Sequence, residues 1–176
     1  MDNSLVEILL SKQPKSSDVI PLFEQLEQKY PCDILASPEK LYVVWELRWS
    51  SSKLPYLQVK PWLENLQILL PADNRAMNFI RFPQAFAKLG GIAVIAELQL
   101  VSSSRVGVRF IKGGWIGPRL PGLTVNLLGG INQSFPAWLD ITHLTDKLRL
   151  CRGSNGTLFA LVKRDELIAN DLIPSI

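Results

Sequence analysis

The period of the apolar residues changes once along the chain, and that change constrains the fold more than any other feature. Before Pro38 the spacing is helical. After it, Leu41, Val43, Trp45, Leu47 and Trp49 alternate with Tyr42, Val44, Glu46, Arg48 and Ser50. A period of 3.6 residues marks one face of a helix, and a period of 2 marks one face of a strand. The chain therefore reads as helices first and a sheet afterwards.

In the helical part, Asp2 or Asn3 can cap a first helix carrying Val6, Leu9 and Leu10 on one side, ended by Pro14. Ser16, Ser17 or Asp18 caps a second, whose stripe is Val19, Leu22, Phe23, Leu26 and Tyr30. Tyr30-Pro31 ends it. Beyond the strand at 41–49, residues 61–70 suit either a short helix or the opening of a strand. Strands are predicted at 77–82, 92–100, 105–111, 138–142, 147–152 and 157–163. Ser102-Ser103-Ser104 turns one hairpin. Gly153-Ser154-Asn155-Gly156 turns another, with Gly and Asn supplying positive φ values. Residues 113–136 hold Gly113-Gly114, Pro118, Pro121-Gly122 and Gly129-Gly130 and read as a long loop.

Helices followed by seven or eight short strands predict a mainly β fold, a small antiparallel barrel with N-terminal α-helices. With 176 residues, the chain suits one structural domain at about 150 residues per domain. Residues 1–38 are its helical segment, packed on the barrel, and 39–176 are the barrel. The interior of an eight-stranded barrel is wide enough for side chains or one small ligand.

Several function classes are excluded. Net charge is +3, with Lys and Arg scattered, which argues against nucleic acid as a partner. The most apolar run, Ile92-Ala93-Val94-Ile95-Ala96, stops at Glu97, far short of the ~20 residues of a helical membrane span. Asp2 and Glu7 argue against a secretory or transit peptide, so the chain is expected to be cytoplasmic and not secreted. Cys32 and Cys151 are far apart and the chain has a single histidine, so no metal site is expected and free thiols are.

Catalysis has little to work with. His143 is the one histidine, and no nucleophile elbow, phosphate loop or zinc motif occurs. Gly113-Gly114-Trp115-Ile116-Gly117 is glycine-rich but is followed by no Lys-Ser or Lys-Thr. Arg152 beside Cys151 could lower the thiol pKa, unless the cysteine is simply a small apolar strand residue. No catalytic residue is assigned.

Binding is better served. Trp45 is in phase with core positions, and Trp49 is placed at the end of its strand, near a barrel mouth. Trp115, Ile116, Leu120 and Leu123 are candidates for a membrane or partner contact, or for a loop folded back over the barrel. Asp140, Asp146, Arg149 and Arg152 cluster near the C-terminus. Arg149 and Arg152 are three apart, so on a regular strand only one points inward. That arginine needs a carboxylate, and Asp140 or Asp146 is the expected partner. The pair would either fix barrel closure or bind a head group. The candidate ligand set is Trp45, Trp49, Asp140, Arg149 and Arg152.

Residues 138–161 resemble the C-terminal signature of the plastid lipid-associated protein/fibrillin family. The matching positions are Leu139, Asp140, Thr142, Leu144, Leu148, Arg149, Arg152, Gly153, Gly156 and Phe159. The strand around Trp45-Glu46-Leu47 is similar to the family's N-terminal Trp-containing strand. Valine stands where that strand usually has glycine, Trp49 and His143 replace tyrosines, and Thr145 replaces an acidic residue, as in a divergent branch. The resemblance implies a lipocalin-like β-barrel of oxygenic phototrophs, peripheral to the thylakoid, with a cyanobacterial member fitting best. It implies binding or organising of apolar lipids, carotenoids or quinones, photoprotective support of photosystems, and no required cofactor. A second reading is an adaptor docking on a photosystem or isoprenoid-synthesis protein. A third is an enzyme of the bilin-lyase barrel kind.

Overall fold

In the computed structural model the alternation starts later than the sequence pattern suggests. Pro38–Leu41 forms a 3-10 turn, and the first strand, β1, is Val44–Ser50. The structure describes all residues except 84–85, 87–88, 121–122, 134–136 and 175–176. The side chains of residues 56, 118–120 and 123–124 are also outside the description.

Two helices precede the sheet, α1 (Asp2–Leu10) and α2 (Ser16–Lys29). Leu5 and Leu9 are the buried positions of α1, whereas Leu10 is exposed. Neither helix has the side-chain cap expected of it, since Met1 and Lys15 hold the cap positions. Val19, Phe23 and Leu26 of α2 are buried, while Tyr30 caps its end and stays exposed.

The strands after β1 are β2 (Glu64–Leu70), β3 (Arg75–Arg81), β4 (Gly91–Leu100), β5 (Arg105–Leu120), β6 (Leu123–Gly130), β7 (Ala137–Leu144), β8 (Leu148–Gly153) and β9 (Leu158–Lys163). The ambiguous stretch 61–70 is thus a strand. The expected loop at 113–136 is corrected: most of it is the second half of β5 together with β6. At the β8–β9 turn only Gly156 takes a positive φ, 74°, and Asn155 does not.

The order is β4-β3-β2-β1-β9-β8-β7-β5-β6, with β4 also paired to β5. Every pairing is antiparallel. The β4–β5 pairing closes an eight-stranded barrel and leaves β6 outside the ring. β5 serves two neighbours on its other edge, β7 along 105–108 and β6 along 112–120.

Three apolar cores follow from strand alternation. An apolar core inside the barrel is contributed from several strands by Trp45, Leu47, Leu69, Leu98, Val106, Ile141, Cys151 and Leu161. The opposite face of β2–β4, with Leu66, Ile68, Met77 and Ile95, packs against Ala169 and Ile173 of the C-terminal segment, which includes α3 (Ala169–Leu172). The outer face of β8 and β9 seats the N-terminal helices.

A β-bulge reassigns Trp49. Register shifts between Leu47, opposite Leu161, and Trp49, opposite Ala160. One extra residue reverses the facing of everything after it. Trp49 therefore leaves the face of Trp45 and Leu47 and packs outside with Leu5, Leu9, Val19 and Phe23. The expected position at a barrel mouth is corrected.

Candidate functional site

Successive cross-strand rows give the barrel wall a gradient of exposure. In the deepest row, Leu69, Ala76 and Ala96 stand side by side and are buried. The next row is Gln67, Asn78, Val94, Gly113 and Gly129, and its first three members are half-buried. The outer row is Asn65, Ile80, Ile92, Trp115 and Leu127. Ile92 is 63% exposed and Leu127 68% exposed. Directly paired residues share a face, so one inner surface runs from a closed floor to an open, apolar mouth.

The floor is sealed by residues 31–43. Cys32 N donates to Thr142 O at 3.1 Å, and Ile34 N donates to Ser103 O at 2.7 Å. Ile34 and Leu41 are fully buried against the interior core. At the mouth, the β1–β2 and β3–β4 connections leave Leu54, Trp62, Phe82, Phe86 and Leu89 exposed.

Arg149 lies across the barrel from β8 and is fully buried. Its Nη2 donates to Gln67 Oε1, and its guanidinium carbon is 5.2 Å from the centre of the Trp45 ring. Gln67 Nε2 in turn donates to Asn78 Oδ1 at 3.0 Å. Nε and Nη1 of Arg149 and Nε1 of Trp45 are buried with no hydrogen-bond partner among the described residues. Burial pulls the arginine pKa below its ordinary value, opposed by Cys151 beside it.

Of the candidate ligand residues, the structure brings Trp45 and Arg149 together and places the rest elsewhere. The expectation that only one of Arg149 and Arg152 faces inward holds, but the expected inward carboxylate is corrected. Asp140 pairs with Arg105 at 2.6 Å, and Asp146 with Lys40 at 3.4 Å. Arg152 binds Glu27 of α2 with both Nε and Nη2, so it ties the helices to the barrel. Strand geometry splits the proposed contact pair. Trp115 joins the mouth row, whereas its neighbour Ile116 faces the other way and is buried. Leu120 and Leu123 end β5 and begin β6, and their side chains lie outside the described residues. Gln67, Asn78, Ile92 and Leu127 were not singled out from the sequence. The polar phase of Asn65 and Gln67 against Leu66, Ile68 and Leu70 was the available signal.

The cysteines are free thiols. Burial pushes the Cys151 thiol from 9.0 up to about 11, against the pull of Arg149; for Cys32, burial and then Cys151 do the same, to about 11. Of the two readings of Cys151, the structure supports the small apolar strand residue and not a thiol activated by Arg152. A thiol kept neutral by the fold stabilises it below the unfolded pKa, and that stabilisation disappears as pH rises through the folded value. Stability is expected to fall between about pH 9 and 11, with Cys151 contributing on the order of 2–3 kcal/mol. Urea midpoints on either side of that window test this. Cys151→Ala should be less stable than wild type at neutral pH yet show a flatter alkaline decline.

The PAP_fibrillin family model matches residues 8–162, which includes every strand of the barrel ring almost to the end of β9. The chain belongs to the PAP_fibrillin family. Family members are lipid-associated and generally non-catalytic, which suits a barrel whose inner wall is mostly apolar. No curated protein matches the sequence significantly. Among the described residues, no group of three His, Cys, Asp or Glu could hold a metal ion, and no helix is long and apolar enough to cross a membrane.

Proposed function

We propose that the protein is a non-catalytic lipid carrier working at the thylakoid surface. It admits an apolar lipid or isoprenoid, such as a carotenoid or quinone, through the barrel mouth and thereby supports photosynthetic complexes. The observation that carries this reading is the graded inner wall, closed below by residues 31–43 and open above at Ile92, Trp115 and Leu127. The exposed apolar residues around the same end suit contact with a lipid surface.

Vesicle co-sedimentation tests it, using galactolipid with an anionic phospholipid. Each rim side chain buried in lipid contributes about 1.5 kcal/mol or more, roughly tenfold in affinity. The double variant Ile92→Asp/Leu127→Asp is expected to lose vesicle binding at least tenfold, with its unfolding midpoint unchanged. Undiminished binding would sink the mouth as the lipid-facing surface.

The adaptor reading has one observation in its favour. The outer edge of β6 has no strand partner among the described residues, and an unpaired edge can accept a strand from another protein. Native mass spectrometry of protein isolated from a phototrophic host separates the two. A stoichiometric lipid supports the carrier, and a stoichiometric protein without lipid supports the adaptor.

A further inference from the structure

Most arginines of this barrel are paired with a carboxylate, although Arg75 of β3 donates to the Pro174 carbonyl instead. Arg48, Arg81, Arg105, Arg109, Arg152 and Arg164 each meet a carboxylate. Arg149 is the most deeply buried arginine described, and it meets none among the described residues. Its guanidinium donates to a neutral amide, Gln67, and lies beside the neutral Cys151 thiol, and its Nε and Nη1 meet no hydrogen-bond acceptor at ordinary geometry among the described residues. A buried cation with no counter-charge is strongly disfavoured unless something compensates it.

The position of this cation is as informative as its isolation. Gln67, its partner, belongs to the half-buried row, one step below the exposed mouth row and one above the floor. Asn78, bonded to Gln67, is on the same row. That row ends in Gly113 and Gly129, which carry no side chains of their own; Ile131 lies against Gly113, its Cδ1 2.9 Å from where a Cβ would stand. Above that row the wall is mostly apolar, with Ile80, Ile92 and Trp115 beside a single amide, Asn65. A ligand entering from the mouth would therefore pass an apolar collar before reaching amides and a cation.

We propose that Arg149 is the inner anchor for the carboxylate head of a single-chain acidic lipid, with Gln67 holding the guanidinium until the head group displaces it. The proposal rests on the carrier reading and narrows its ligand. The chain of the lipid lies along the apolar collar toward the mouth. The head accepts charge-assisted hydrogen bonds from the arginine nitrogens now without partners, with Asn78 and the freed Gln67 amide as neutral donors.

Binding of oleate and of oleyl alcohol, which share a chain and differ in the head, tests this by competition with a fluorescent fatty acid. Wild type is expected to prefer oleate by about tenfold or more. Arg149→Met is expected to abolish the preference while retaining the alcohol. Gln67→Glu guards against a variant that merely fails to fold. It keeps the volume and supplies a resident carboxylate, so it should raise the melting temperature and lower oleate affinity by about tenfold or more, leaving the alcohol unchanged. Equal binding of both probes by wild type, with oleate affinity unaffected in Gln67→Glu, overturns the anchor and leaves the carrier reading standing. Binding of neither probe, by wild type that also carries no lipid after isolation, overturns both.

Discussion

Trp49→Ala is expected to lower the unfolding free energy by about 3–5 kcal/mol, the usual cost of removing a buried tryptophan. The bulge after Leu47 turns this side chain out of the barrel and into the seat of the N-terminal helices, beside Leu5, Leu9, Val19 and Phe23. The remaining ties are the smaller apolar side chains of β8 and β9, Leu148, Leu150, Ala160 and Val162, and two polar contacts: Arg48 Nε donates to Leu9 O at 3.0 Å, and Arg152 binds Glu27. Without the indole, α1 and α2 lose the largest side chain of their apolar seat while the barrel interior is untouched. Trypsin should then cleave within residues 1–29 before the barrel, and Trp49→Phe should recover most of the stability. A loss below about 1 kcal/mol in urea unfolding would mean that the helices do not depend on this residue.

Arg164→Ala is expected to cost about 3 kcal/mol. Arg164 Nη1 meets Glu46 Oε2 at 2.9 Å and Nη2 meets Glu64 Oε1 at 3.0 Å. The other oxygen of each glutamate is held by Arg48 at 3.0 Å and Arg81 at 2.8 Å. Charges thus alternate in an unbroken chain over β1, β2 and β3. Burial would lower the pKa of Arg164, but its bonds to Glu166 and Glu64 and the charges of Glu46 and Glu64 hold it above the ordinary value. Alanine leaves two nearly buried carboxylates on adjacent strands without their shared cation. Lysine restores a charge but not the fork that reaches both glutamates, and it should recover only part of the loss. Equal urea midpoints for wild type and Arg164→Ala would show that the chain adds no net stability.

What could be read from the sequence was local and periodic. The helical stripe at Val19, Phe23 and Leu26, the strand around Trp45, and the opposite facing of Arg149 and Arg152 follow from spacing alone. What could not be read depends on single inserted residues or on distant partners. The bulge before Trp49 has no compositional mark. The glycines at 113–117 look like loop punctuation, yet Gly114 is required by close approach: a Cβ there would lie 2.1 Å from Leu127 O, at a φ of +151°. Pro118 falls within the register shift between Ile116 and Arg119, where a missing ladder donor is tolerated. Arg149 finds Gln67 82 residues away, and Arg164 finds Glu46 118 residues away. The carboxylates nearby in sequence, Asp140 and Asp146, are committed to other cations, Arg105 and Lys40.

Because β4 pairs directly with β5, the ring is complete before β6 is counted. β6 is an appendage, held by one neighbour over the far half of β5. Substitutions along it, or a longer turn at its tip, leave ring closure, the sealed floor and the seat of the helices in place. The protein thus separates a closed container from an attached lip, so what the lip touches can be altered without rebuilding what the container holds.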